Sequence, residues 1–452
     1  MMRNPFFSSF SSSLTKKTAL ILILTFTTIV VIDSTILKFA AYTGIQLPTS
    51  SNVGIFLTFS IIFSLSSILL MYVARMFSQY TYTLPINIKY FHWLIFGSQI
   101  LTLGIILTII LQMTLLNQYN VSLVRTETYL AYATTLIFLI LLVIIFVGWF
   151  KSKRNFMIML FAISFSLLAI DIVISLVYLD SYFSRSIKPD IKPYPITSFV
   201  TNFGGSAINQ QLAVAYDAFS ILSFSFMWMA TVILLSHYRY KLGRVKYFVF
   251  ICIPLIYYLF PFEGYFGNLF FSFIIDSPII FGMIYILIFS ATKQIGAVFF
   301  SIFFLIASTL VAKSIMRQSI LISGIGLAII FGSLEIATLQ YSVYPPFGLI
   351  TAAFMPLGSY FLFIGTLSSA QYISRNIELR KELYKTANSS QIGFLKDIGL
   401  AEIQNEREKL YRSLLKYIDK SEHKKNVNLE QAEIKEIVDD VLKELSNSNR
   451  NN

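Results

Sequence analysis

Cysteine is almost missing from this chain. The single thiol, Cys252, excludes an intramolecular disulfide and any cysteine-based metal cluster. Histidine is nearly as scarce. His92 and His237 stand at the ends of apolar runs and His423 in a polar stretch, so neither a bis-histidine haem nor a three-histidine zinc site can be drawn. Charge is the third deficit: Asp, Glu, Lys and Arg make up 13% of the 452 residues, against about 25% in soluble domains. No phosphate-binding glycine loop, catalytic motif or metal motif is present. The sequence therefore predicts no cofactor, no metal and no enzyme.

What fills the chain is apolar. Hydrophobic residues make up 56% of it, and mean hydropathy is +0.70. The charge that exists is unevenly divided. Residues 1–374 hold 20 Lys and Arg against 9 Asp and Glu, while Arg375 onward holds 15 against 14. Nearly all the net charge of +12 thus belongs to the apolar body, where basic residues cluster between apolar runs. Membrane proteins show this bias on the cytoplasmic side. No basic cluster has the compact, aromatic-interleaved pattern of a nucleic-acid face, so no nucleic-acid partner is expected.

Apolar runs long enough to cross a bilayer, about 20 residues, recur at roughly 18–42, 53–73, 91–116, 128–150, 155–179, 213–237, 247–262, 269–291, 294–312, 319–341 and 347–372. Backbone in lipid must satisfy its own hydrogen bonds, so these eleven segments are predicted to be helices. The expected fold is all-α: a polytopic transmembrane bundle of 10–12 spans over residues 18–372, with the lipid bilayer as its first partner. A cytoplasmic segment, 1–17, precedes it and a cytoplasmic helical tail, 373–452, follows. The first apolar run is expected to be retained as a span. Arg3, Lys16, Lys17, Arg75, Lys89, the KSKR of 151–154 and the YRYKLGRVK of 238–246 would face the cytoplasm, as would Lys313, Arg317 and the tail. Three candidates lie between Lys246 and Lys313 where an even number is required, so one within 263–312 is expected not to cross, or a fourth is hidden. A faint echo links VVIDSTILKFAAY with LAIDIVISLVYLDSY and suggests two four-span units.

Acids inside spans carry the most information, because an ionised group in lipid is costly and usually faces a cavity or a partner. Four are candidates for an intramembrane polar site: Asp171, Asp33, Glu335 and Asp217. With a rise of about 1.5 Å per residue, all four fall in the outer half of their spans. They could line a vestibule that attracts cations or relay protons, and the competing expectation is that each is neutralised by bonding to a neighbour and specifies packing. In the last span, Pro356 and Gly358 make a candidate hinge, since proline removes a helix hydrogen bond. Beyond it the tail reads as helices broken at Asn388-Ser389-Ser390, the second running from Gln391 to about Ile418 with its start weakened by Gly393 and Gly399. In a third, Ile434, Ile437, Val438, Val441, Leu442 and Leu445 form an amphipathic stripe that suits a cytoplasmic protein or a second copy.

The stretch ELRKELYKTANSSQIGFLKDIGLAEIQNEREKL, Glu378 to Leu410, resembles the tails of uncharacterised multi-span membrane proteins of ammonia-oxidising archaea. The match includes the basic exit from the last span and the element formed by Ile398, Gly399, Ala401 and Glu402. The resemblance implies an origin and an architecture, and carries no activity. Two functions fit the residues. One is a receptor- or sensor-like protein of the cell membrane that relays a membrane event through the Pro356 helix to its tail. The other is a secondary transporter or channel that uses the intramembrane acids.

Overall fold

The computed structural model describes residues 14–43, 53–78, 88–116, 120–183, 207–236, 239–259, 292–309, 315–333, 348–377 and 390–422, with a few isolated positions between them. All regular structure among the described residues is helical. We number the helices α1 (Lys16–Thr43), α2 (Val53–Ser78), α3 (Ile88–Leu116), α4 (Val121–Lys153), α5 (Phe156–Phe183), α6 (Ala207–Leu235), α7 (Arg244–Leu259), α8 (Thr292–Ala307), α9 (Ile315–Ser333), α10 (Leu349–Arg375) and α11 (Ser390–Glu422). A short turn of helix, Arg239–Leu242, links α6 to α7.

Seven of these are long and apolar enough to cross a membrane: those within α1, α3, α4, α5, α6, α9 and α10. The protein is an all-α bundle of the membrane-spanning kind. Ile61–Arg75 of α2 and Lys293–Ala307 of α8 are shorter apolar helices, and α7, with Pro254 inside it, is 16 residues long. The apolar run at 269–291 lies largely outside the described residues. Large apolar side chains such as Ile21, Leu65, Ile100, Leu111 and Ile144 are exposed on the outer helices. A face of this kind suits lipid.

The bundle is built around α10. Every residue from Leu349 to Gln371 is buried. A helix that is apolar all round belongs in the centre of a large assembly. It is flanked by α9, α4, α1, α2 and α3. On one side lies an apolar core drawn from α1–α4, and on the other a core drawn mainly from α4–α8; both include residues of α9 and α10. The closest approach is between α9 and α10. A Cβ added to Gly326 would sit 2.4 Å from the backbone N of Leu362, and one added to Gly365 would sit 2.7 Å from the carbonyl oxygen of Ser319. Small residues let helix backbones meet in lipid, where burying apolar surface against a neighbour brings no gain over burying it in lipid tails.

The consecutive pairs α6–α7 and α8–α9 run antiparallel, and single polar contacts fix their levels. Gln294 at the start of α8 donates to the carbonyl of Gly332 at the end of α9, 3.1 Å. Tyr247 near the start of α7 donates to the carbonyl of Val232 near the end of α6, 2.9 Å, and Trp228 donates to the carbonyl of Ile251, 2.7 Å. Between Lys246 and Lys313, the described helices α7 and α8 run in opposite senses.

The tail is not detached from the bundle. Phe394, Leu395, Ile398 and Ala401 of α11 are buried in the same core as α4–α10. Phe394 meets Phe161 of α5 at 5.1 Å and Phe303 of α8 at 6.1 Å between ring centroids. Gly399, which costs the helix by propensity, also has a packing role. A Cβ there would fall 2.2 Å from Cγ2 of Ile373, so glycine is what allows α11 to lie against α10. Residues 423–452, with the stripe Ile434, Ile437, Val438, Val441, Leu442 and Leu445, lie outside the described residues.

Candidate functional site

The end of the bundle opposite α11 holds a cluster of polar side chains from four helices. Asp171 of α5 is wholly buried, and neither of its carboxylate oxygens has a hydrogen-bond partner among the described residues. Lys293, one residue into α8, is close enough for its charge to act on Asp171 and on Asp217. Its Nζ donates to the hydroxyl of Tyr216, 2.8 Å, and to Oγ of Ser220, 3.0 Å. The same ammonium lies 4.8 Å from the centre of the Tyr216 ring, a cation–π distance. Ser220 in turn shares a 2.9 Å hydrogen bond with the hydroxyl of Tyr258 from α7. Four helices, α5, α6, α7 and α8, therefore converge on one acid–lysine–tyrosine cluster.

Local sequence explains how it forms. Tyr216 and Ser220 are four apart on α6 and share a face, which the adjacent Asp217 leaves for the exposed side. Lys293 enters at the first turn of its helix, where a long side chain can reach sideways. A charge with no aqueous shell is expensive unless paired and hydrogen-bonded. Lys293 has two hydroxyls and an aromatic face; Asp171 has only the nearby positive charge.

A second buried acid lies on α4. Glu127 of α4 is wholly buried, and both its oxygens are also without a hydrogen-bond partner among the described residues. The buried Tyr132 hydroxyl lies within electrostatic reach of Glu127, Asp171 and Tyr216. Nearer the same end of the bundle, Asp180 accepts a hydrogen bond from Tyr129, 2.6 Å, and pairs with Arg125. The Tyr129 hydrogen bond, followed by that of Arg125, holds the Asp180 carboxyl below its usual range. This pair fastens the start of α4 to the end of α5.

Asp33 belongs elsewhere. It is buried, and its carboxylate accepts from the backbone N–H of Gly348, at 3.1 Å to each oxygen, and from the backbone N–H of Thr351 at 3.1 Å. The Thr351 hydroxyl donates to it at 2.5 Å. These are the free donors at the start of α10, where the helix dipole also favours a negative charge. Gly348 has φ +84°, a conformation that a side chain would strain. Asp33 of the first helix thus caps the central one.

Of the acids singled out in the sequence, Asp217 lies within electrostatic reach of Asp171 from the exposed side of α6, and Asp33 does not join them. Glu335 lies outside the described residues. The Pro356–Gly358 pair sits in the middle of the buried α10, which stays helical through the proline. A Cβ on Gly358 would fall 2.6 Å from Cγ2 of Ile329, so this stretch is tightly packed against α9. Glu127, Tyr132, Tyr216, Tyr258 and Lys293 are members of the constellation that the sequence did not single out. Glu127 fell one residue short of the apolar run drawn at 128–150, because Arg125 and Glu127 themselves interrupt it. Lys293 was legible as a lone cation inside a long apolar stretch.

Among the described residues, no three His, Cys, Asp or Glu side chains gather as a metal site. No family model, curated protein or solved structure matches the chain.

Proposed function

We propose that this chain is a non-enzymatic, multi-pass protein of the cell membrane that moves protons, alone or coupled to a solute, through the Asp171–Lys293 cluster. The observation that carries the reading is the pair of buried, unpartnered Asp171 oxygens beside the Lys293 charge. Such a carboxyl can hold a proton or neutralise the lysine, and those two states differ in what the cluster binds and how tightly its helices pull together. Intramembrane acids facing a bundle interior are the common equipment of proton relays. In the orientation set by the basic loops, the cluster lies in the outer half of the bilayer, with the N-terminus and α11 in the cytoplasm.

The test is proton flux into liposomes that hold the purified full-length protein and an internal pH-sensitive dye, driven by an imposed membrane potential. Asp171→Asn keeps the shape and removes the titrating group, so flux should be lost. Flux equal to that of the unmodified protein would overturn the reading.

A second reading, a receptor-like relay to a cytoplasmic protein or a second copy, is favoured by one observation. The tail helix is hydrogen-bonded into the bundle through Trp149 and Glu402, 2.7 Å. A change in the spans would therefore reach the tail directly. Comparing what the full chain and a form ending at Glu422 capture from native membranes tests it. A partner enriched only with the full chain supports the relay through the 434–445 stripe, and identical captures count against it.

A further inference from the structure

The end of the bundle away from Asp171 is stopped by the tail helix itself. Between α4, α5, α8, α9 and α10 lies a narrow cavity whose remaining wall is Phe394, Leu395 and Ile398 of α11. Phe394 is wedged between Phe161 of α5 and Phe303 of α8, at 5.1 and 6.1 Å between ring centroids. The lining is apolar apart from Ser323 of α9 and Thr366 and Ser369 of α10. Phe165, which also lines it, is six residues from Asp171 along α5, or about 9 Å. Less than two turns of α5 thus separate the cavity from the level of Asp171.

The grip on α11 combines this apolar wedge with a polar latch at its rim. Glu402, 3% exposed, accepts from the indole N–H of Trp149 at 2.7 Å and lies 3.5 Å from the Gln371 amide nitrogen. Asn155 holds Asp397 in the same manner. Both acids are thus met by neutral donors. Burying a carboxyl beside neutral donors costs more than burying an apolar side chain of that size, so the latch is weaker than an apolar one would be. Beyond Glu402 the described side chains of α11 are half-buried or exposed as far as Ser413, and its first turns carry the docking.

We propose that α11 is a gate. Docked, it closes the tail end of the route to Asp171; lifted, it withdraws Phe394 and opens the cavity while the spans stay folded. This rests on the reading of Asp171 as the working acid and adds the element that governs access to it from the tail side. A route from the Asp171 cluster to that side has to cross the core of α4, α5 and α10, and the cavity is where this core is left unfilled. The structure is then the closed state, and the latch sets how often it opens. Weak polar contacts over an apolar wedge suit that task, because a small change at the rim shifts the balance between docked and lifted.

A reversible lock on the full-length protein tests this. In a Cys252→Ala background, Gly148→Cys with Asn405→Cys sets two thiols across the contact of α4 with α11, since a Cβ on Gly148 would lie 4.0 Å from the Asn405 side-chain nitrogen. Oxidation should tie α11 down and cut proton flux in liposomes by about tenfold or more, and reduction should restore it. Cross-linked protein that conducts as well as its reduced form would overturn the gate. A second measurement needs no flux. Ser369→Cys in the same background puts one thiol in the cavity wall, at a position 2% exposed. Its reaction with a small charged thiol reagent in nanodiscs reads the opening. Adding Trp149→Phe, or Phe394→Ala to remove the wedge, should speed that reaction by about tenfold, the scale of one lost buried contact. Unchanged rates in both variants would also sink the gate. If the rates respond while the unmodified protein carries no protons, the opening of α11 stands and the proposed function fails.

Discussion

Trp149 donates its indole N–H to Glu402 at 2.7 Å, and so joins α4 to the tail helix across 253 residues of sequence. Both side chains are buried. Gln371 of α10 approaches the other Glu402 oxygen at 3.5 Å, and Asn155 donates to Asp397 at 2.5 Å one helical turn away. Phe394, Leu395 and Ile398 fill the space between these polar contacts, closing one side of a narrow cavity lined by Phe146, Phe161, Phe165, Phe304 and Leu362. The tail helix is thus part of the bundle's core over its first three turns.

Breaking this bond should loosen the tail without unfolding the spans. Trp149→Phe leaves the Glu402 carboxylate short of a donor, and Glu402→Leu leaves the indole N–H unpaired. A buried group stranded in this way costs about 1–3 kcal/mol. Limited proteolysis within α11 is the readout, with faster cleavage expected in either single variant. The double variant, Trp149→Phe with Glu402→Leu, removes both polar groups and should recover much of the protection. Cleavage rates in both single variants that match the unmodified protein would show that apolar contacts alone hold the helix.

Docking of the tail should also depend on pH through Glu406. Burial, and then the neighbouring Glu402 carboxylate, raise the proton affinity of Glu406, while Arg375 and Lys409 pull the other way. A carboxyl that holds its proton more tightly when docked stabilises the docked helix while protonated. That contribution is complete below the ordinary glutamate range and is lost as pH rises through the raised value. Protection of α11 should therefore fall as pH climbs from the ordinary glutamate value towards neutral. Glu406→Gln should flatten the profile and keep its neutral-pH end protected. A steeper profile in that variant would contradict the assignment.

The architecture was legible in the sequence because it depends on quantities that sequence carries. Long apolar runs and the charge deficit specify helices in lipid, and the apolar run drawn at 347–372 holds α10, around which the bundle is built. Depth along a helix also follows from position, which is why Asp171 could be picked out. Partnership does not follow from position. Asp33 and Asp171 occupy similar places in similar-looking spans, yet one caps the start of α10 and the other faces a lysine from a helix more than a hundred residues away. Glu127 was hidden for a different reason. Hydropathy draws the edge of a span where charges begin, and a buried acid near that edge moves the boundary past itself. Gly399 shows a third limit, since a propensity scale counts what glycine costs a helix and cannot register the neighbour it admits.

The α9–α10 crossing should be intolerant of a single methyl group. Gly326→Ala would put a carbon 2.4 Å from the Leu362 nitrogen and 2.7 Å from the Gly358 carbonyl oxygen, both backbone atoms that cannot turn aside. Overpacking of this kind costs about 1–3 kcal/mol, and separation of two central helices puts the expected value at the upper end. Gly104→Ala is the matched control. Nothing lies within 4 Å of its added carbon, and alanine is the better helix former by about 1 kcal/mol. Thermal unfolding in detergent should show a clear drop for the first variant and none for the second.

Asp33 separates a capping acid from a working one. Asp33→Ala would strand the N–H groups of Gly348 and Thr351 at the buried start of the central helix, along with the Thr351 hydroxyl. Loss of a helix N-cap alone costs about 0.5–2 kcal/mol, and the burial of these donors adds to it. The damage should be local. Hydrogen exchange should rise over residues 348–355, where the carboxylate now covers the first turn, and stay unchanged in α11 at the other end of the helix. Asp33→Asn retains one acceptor oxygen and should fall between the two. Neither change touches Asp171 or Lys293, so proton flux in liposomes should persist. If Asp33→Asn instead abolished flux while leaving exchange at 348–355 as it was, Asp33 would belong to the proton path, and the division between a structural acid and a working one would have to be redrawn.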